Sequence, residues 1–323
     1  MKSRLIHTLI AVAGLTAASA VPAQNYPNKP IRIIVVSTPG GSVDTMARAV
    51  GPKLAARWGQ QVLVDNRPGA GGALGAELAA KAPADGYTIW LGQTNNLVIG
   101  PILRAKNAYD PVRDYAPITL LMKAPQVMVV NVDSSLASIR DLIAAAKKAP
   151  GTLTYGSAGI GSSGHINGEL FNQSAGVAIN HIPYKGGAPA MIDLRGGRIT
   201  YVATSLASAA QGLKEGKLKA LATTGRTRAR MLPDVPTVAE SGVPGYELTS
   251  WHGMLAPTGV PKEAVSRLNR ELVAVLRQPN VEKTLLTEGG DITPSTPEEF
   301  STFLRAEIAK WTKVIKQAGI TAE

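Results

Sequence analysis

Residues 31–50, IRIIVVSTPGGSVDTMARAV, restrict the fold more than any other stretch, because they read as a buried strand, a glycine turn and the opening of a helix. Ile33, Ile34, Val35 and Val36 follow one another without polar alternation, the pattern of a parallel strand covered by helices on both faces. Pro39, Gly40 and Gly41 then turn the chain, and Met46, Val50, Leu54 and Trp58 recur every four residues as one apolar stripe, in a helix that Pro52 is expected to kink. Such a turn leaves backbone N–H groups facing outward with the positive end of the helix dipole behind them. An anion can sit there without a cationic side chain. A plain connecting loop is the other reading of the same residues.

The design recurs downstream. Residues 61–65 (QVLVD) and 87–91 are expected strands, and the second ends in GQTNN, which places Gln93 and Thr94 at a strand's carboxyl end, where open α/β sheets bind ligands. Residues 118–121 and 127–132 read as two strands flanking a turn at Lys123-Ala124-Pro125, and Ser134 and Ser135 as caps for a helix over 139–148. A strand over 152–155 then runs into GSAGIGSSGH and a helix over 166–174. Gly159, Gly161 and Gly164 spell a dinucleotide-binding spacing, but Asn180 and His181 stand where its ribose-binding acid belongs, so a dinucleotide is not expected. What survives is a second anion-accepting helix start, with hydroxyls from Ser157, Ser162 and Ser163.

Lys2 and Arg4 precede an apolar run over 5–18, with small residues at Ala18, Ala20 and Ala23, which reads as a secretory signal peptide over 1–23. The run is too short to span a bilayer. There is no cysteine, so stability rests on a core rather than on disulfides. The formal charge is +11, from 34 Lys+Arg and 23 Asp+Glu. With aromatics at 5% and Arg226, Arg228 and Arg230 as the densest basic cluster, nucleic acid is a poor partner and small anions a better one.

The two turns predict two α/β lobes facing each other across a cleft: residues 24–125 with 246–323 as a discontinuous first lobe, and 126–245 as an inserted second. LPDVPTVAESGVPGYE, with prolines at 233, 236 and 244, suits a crossing between them. Helices after Pro261 and after the capping box Thr296/Glu299 are expected to pack back on the first lobe. Lys185 beside Gly186-Gly187 reads equally as an anion contact or as a solvated loop lysine. No G-x-S-x-G elbow, no H-E-x-x-H and no P-loop occurs, and His165, His181 and His252 are the histidines outside the signal segment. Neither a metal nor a cofactor is expected, and an exported hydrolase or a ligand-sensing partner stands as the alternative class.

The segments YPNKPIRIIV, PGGSVDTMAR, NRPGAGGALGAELAAKAPADGYT, TYGSAGIGSSGHINGELF, HIPYKGGAPAMIDLRGG, LPDVPTVAESGVPGYE and WHGMLAPTGVP, in order along nearly the whole chain, resemble the periplasmic substrate-binding proteins of tripartite tricarboxylate transporters, the Bug family. The resemblance implies a two-lobed periplasmic-binding-protein fold with a mixed, mainly parallel sheet in each lobe. It also implies a monomeric receptor that closes on a small carboxylate and passes it to integral membrane transporter subunits, without chemistry. The pocket it implies comprises Pro39, Gly40, Gly41, Ser42 and Asp44 from the first turn and Ser157, Ala158, Gly159, Gly161 and Ser162 from the second. Gln93, Thr94, Lys185 and Thr204 complete the candidate contacts. The chain departs from the family in having Val36-Ser37-Thr38-Pro39 for Pro-Phe-x-Pro and Ile199-Thr200 for Val-Asp. Asp44 reads either as a cap and dipole partner of its own helix or as a contact for a ligand's ammonium or hydroxyl.

Overall fold

The computed structural model describes residues 26–320, apart from 41, 70, 71 and 105. The signal segment over 1–23 and Gly41 therefore lie outside the described residues. The strand expected first is β1 (Ile31–Val35), paired in parallel with β2 (Val62–Asn66) on one side and β3 (Thr88–Gln93) on the other. Its lack of alternation has the anticipated cause. Ile31, Ile33 and Val35 enter one apolar core with Met46, Val50 and Leu54, while Ile34 enters another with Trp90, on the opposite face. Helix α1 (Ser42–Trp58) covers the first of these faces and continues through Pro52. Helix α2 (Ala73–Ala80) contributes Ala76 and Ala79 to the second.

Beyond β3 the chain forms a turn of π-helix (Asn95–Ile99) and a short α3 (Gly100–Leu103), then β4 (Tyr115–Asn131). β4 corrects the expectation of two strands and a turn, since its 17 residues run extended straight through Lys123-Ala124-Pro125. Ladder pairing overrides the local turn signal: Lys123, Ala124 and Pro125 lie opposite Trp251, Ser250 and Thr249 of β9 (Thr249–Pro257). Pro125, which has no N–H to give a ladder, falls where β4 changes partners. From Gln126 on it pairs instead with β7 (Tyr201–Ser205) and β8 (Leu218–Thr223).

The second half repeats the first. Helix α4 (Ile139–Lys148) is capped by Ser138, which accepts from the Asp141 N–H, and not by Ser134 or Ser135 as their position had suggested. β5 (Thr154–Ser157) lies parallel between β6 (Asn180–Pro183) and β7 and feeds α5 (Ser163–Ala175). α6 (Gly187–Arg195) and α7 (Leu206–Lys214) come after β6 and β7. The sheet order is thus β2-β1-β3-β9-β4-β7-β5-β6, with parallel triplets at both ends and antiparallel strands joining them.

Helix α8 (Lys262–Leu276) packs on α1, with Leu268, Leu272 and Val275 in the core beside Leu54. α9 (Pro279–Thr287) leads through the two-residue β10 (Asp291–Ile292) to α10 (Pro297–Gln317), whose start carries the anticipated capping box. α10 packs on β4 and also reaches the second half, where Gln173 Nε2 donates to Val314 O at 3.2 Å.

Candidate functional site

β1, β3, β5 and β7 all direct their carboxyl ends toward one cavity of about 500 Å³, floored by Ala124, Pro125 and Gln126 of β4 and by Ser250, Trp251 and His252 of β9. Each of those four strands runs on into the start of a helix. Ser42 opens α1, Thr94 and Asn95 the π-turn, Ser163 and Gly164 α5, and Ala207 and Ser208 α7; Gly187 adds the start of α6. First-turn N–H groups have no intrahelical partner. The caps Ser162 and Ser205 satisfy only those of His165 and Ser208. The described lining residues include no lysine or arginine, and Glu288 is the charged side chain among them, so the groups there that suit an anion are helix starts and hydroxyls.

Of the anion contacts singled out in the sequence, Ser42, Gln93, Thr94, Ser157, Ala158, Ser163 and Thr204 line this cavity. Pro39, Gly40 and Asp44 do not. They edge a separate surface depression with Thr45, Arg48 and Thr284. The reason is local: Asp44 Oδ2 accepts the Gly40 N–H at 2.9 Å, Arg48 Nε sits 2.9 Å from the same oxygen, and Asn66 Nδ2 donates to Oδ1 at 2.9 Å. The donor that the glycine turn was expected to offer an anion is thus given to a carboxylate of its own helix. Asp44 is thereby bonded to its own turn, to its own helix and to Asn66 of β2. Arg48 leads in holding its carboxyl down at about 2.

The second turn also keeps its donors. Gly159 N–H donates to Ser157 Oγ at 3.1 Å, Gly161 N–H to His165 Nδ1 at 3.0 Å, and Ser162 caps α5, so Gly159, Gly161 and Ser162 shape the turn without lining the cavity. Gly159 and Gly161 adopt φ of 122° and 73°, which suits glycine. Lys185 is exposed and outside the lining.

Several lining residues carry no signal in the local sequence. Gln126 was hidden by the mistaken turn, and Trp251 and His252 by lying far from either glycine turn in the chain. Ser205 does carry a readable signal, a serine between a strand and an alanine-rich helix. Trp251 is fixed by Thr94, whose Oγ1 accepts its N–H at 2.8 Å, and by Glu307, whose Oε2 accepts its indole N–H at 2.9 Å. His252 is buried, which pushes its imidazole down to about 4 and leaves it neutral near neutral pH.

One arrangement resembles part of a nucleophilic site. Ser157 Oγ lies 2.6 Å from His181 Nε2, and the His181 ring is stacked between Tyr155 and His165 at 4.9 and 4.0 Å. An orienting acid is missing, because the nearby Glu169 accepts from the Tyr155 hydroxyl at 2.6 Å and no described carboxylate bonds His181. Burial, reinforced by His165, lowers the His181 pKa to about 4. Among the described residues no group of three or more His, Asp or Glu is placed to hold a metal ion.

Comparison with known proteins gives consistent matches along the chain. The solved structure of an R. palustris protein with adipate is 36% identical, covers 92% of this chain and 99% of its own, and superposes with a TM-score of 0.78. The periplasmic binding protein BugD is 33% identical over 92% of this chain and all of its own (100%), with a TM-score of 0.74. MatC from Rhodopseudomonas palustris, with bound malate, is 29% identical over 90% of this chain and 100% of its own, with a TM-score of 0.73. The two-lobed fold of these binding proteins is the fold found here. The family described as "Tripartite tricarboxylate transporter family receptor" matches residues 46–320, and the chain belongs to that family.

Proposed function

We propose that the protein binds a small carboxylated molecule in the cavity between its lobes and delivers it to the membrane subunits of a tripartite transporter, acting in the periplasm as a monomer and without catalysis. The observation that carries this reading is the convergence of helix starts on a cavity without a lysine or arginine in its described lining. Those N–H groups and the hydroxyls of Ser42, Ser163 and Ser208 replace the water that a carboxylate loses on binding. Adipate and malate in two of the related structures support the ligand class. The apolar N-terminal run and the periplasmic relative support the location. The change of partners in β4 between Pro125 and Gln126 supports a lobe boundary there, with 24–125 and 246–323 as one body and 126–245 as the other. Against a hydrolase stands Ser157, whose histidine has no acid to orient it.

The test is thermal unfolding of refolded protein against a panel of small carboxylates. A ligand present at about 100 times its dissociation constant adds roughly 2.7 kcal/mol to stability. Ser163→Asp places a carboxylate in the first turn of α5, a favourable position for the helix that also sets a like charge in the anion site. We expect it to abolish the ligand-induced shift and to leave the unliganded melting temperature unchanged or raised. A carboxylate that stabilises this variant as well as the parent would show that the anion binds elsewhere.

A further inference from the structure

Glu288, the residue after α9, brings the one charged side chain among the described residues of the cavity wall. Its carboxylate forms no hydrogen bond or ion pair with any described residue, although most acids of this chain are paired. Two further features share its sign. The carboxyl end of α9, with the negative pole of the helix, arrives at the same wall. On the floor, Gln126 donates its amide to Ser163 Oγ at 2.9 Å and leaves Oε1 buried without a partner. The cavity therefore presents both kinds of group: helix starts supply donors, and Glu288 and Gln126 supply acceptors that no described residue satisfies.

We propose, building on the carboxylate reading above, that Glu288 selects ligands carrying an ammonium group as well as the bound carboxylate and rejects dicarboxylates of the same length. A dicarboxylate would set its second charge against Glu288, whereas an amino carboxylate meets it with a complementary one. At a partly solvated wall a single charge reversal of this kind changes affinity by about tenfold or more. The competing role for Glu288 is balance for the start of α7, since Gly289 packs there, where a methyl group would lie 3.5 Å from the Ala207 nitrogen. In that role it would not distinguish the two ligand types.

The experiment is calorimetric titration of the refolded protein with matched pairs: 4-aminobutyrate against succinate, 5-aminopentanoate against glutarate, and 6-aminohexanoate against adipate. For at least one pair the amino acid should bind the parent about tenfold more tightly or better, and Glu288→Gln should bring that ratio to one or below. Because the Glu288 side chain has no partner, the variant should melt with the parent when unliganded. Equal binding within every pair, tighter binding of the diacids, or a ratio unmoved by Glu288→Gln overturns the role of Glu288 and leaves the carboxylate site standing. Failure of every compound to bind the parent overturns both.

Discussion

Asp44 shows how a single residue changes the meaning of a glycine turn. It is 2% exposed, and its carboxylate is held by the Arg48 guanidinium, the Asn66 amide and the Gly40 N–H. Arg48 is the main cause of its depressed pKa, about 2. The folded state thus favours the ionised form: its stabilisation is complete above the unfolded value of about 3.8 and is lost as pH falls through about 2. Asp44→Asn should therefore cost about 1–2 kcal/mol near neutral pH, and the deficit should fade as pH falls below about 4. Urea unfolding at the two pH values measures it, and an equal deficit at both would assign the loss to packing instead of charge. The buried and half-buried histidines act at higher pH. Burial lowers the pKa of His165, His181 and His252, the last two to about 4, so the fold favours their neutral forms. Their contribution is present above about 6.5 and is lost as pH falls toward 4. Melting temperature should decline across that window, and His181→Gln should flatten the decline; an unchanged slope would exclude His181 as a source.

Among the elements, α10 links the site to the core. Its Glu307 is 9% exposed and accepts two indole N–H groups through Oε2, from Trp251 at 2.9 Å and from Trp311 at 3.0 Å. Since Trp251 also lines the cavity, Glu307 orients a residue of the site from behind it. Glu307→Ala would leave two buried donors unsatisfied and should cost about 3 kcal/mol, with Glu307→Gln recovering part of it through its amide oxygen. Chemical denaturation compares the two, and equal stability of Glu307→Ala and parent would refute the role. The elements also differ in how legible they were. The start of α10 was readable because Thr296 and Glu299 cap it within four residues, and β1 because Ile33, Ile34, Val35 and Val36 announce burial on both faces. β4 was not, because Lys123-Ala124-Pro125 looks like a turn until β9, more than a hundred residues on, pairs with it. The site divides in the same way. Ser42 opens a helix and Ser157 and Ala158 close a strand, all with a plain local pattern, whereas Gln126, Trp251 and His252 reach the cavity through strand pairings, and Glu288 through helix packing, that no window of sequence contains.

In the whole molecule, β4 changes partners between Pro125 and Gln126, the chain comes back into β9 at Thr249, and these two crossings are register partners, Pro125 with Thr249. Thr224 ties them together. It is fully buried; its Oγ1 accepts the Gln126 N–H at 2.8 Å and donates to Leu248 O at 2.6 Å, while its own N–H donates to Gln126 O at 2.9 Å. Away from this seam the halves meet at the surface, where Arg230 and Glu282 form an exposed pair at 2.7 Å worth little in water, and in a shared apolar core, where Val314 and Ile315 of α10 cluster with Ile166 and Phe171 of α5. The two crossings lie side by side at this seam of backbone and buried hydroxyl bonds, so a movement of one half against the other would pivot here. A ligand that bonded helix starts of both halves would select a closed form over an open one. The radius of gyration measured by solution scattering should therefore fall when a binding carboxylate is added, and should stay constant in Ser163→Asp. Thr224→Val keeps the shape of the side chain but leaves the Gln126 N–H and the Leu248 carbonyl buried without that partner. It should cost about 1–3 kcal/mol of stability. Because the lost bonds sit at the pivot and not in the cavity, any closure that survives in this variant should start from a more variable open form, seen as a broader distance distribution without ligand. A parent radius that does not change at ligand saturation would mean that the halves are fixed relative to one another and that the cavity fills without closure.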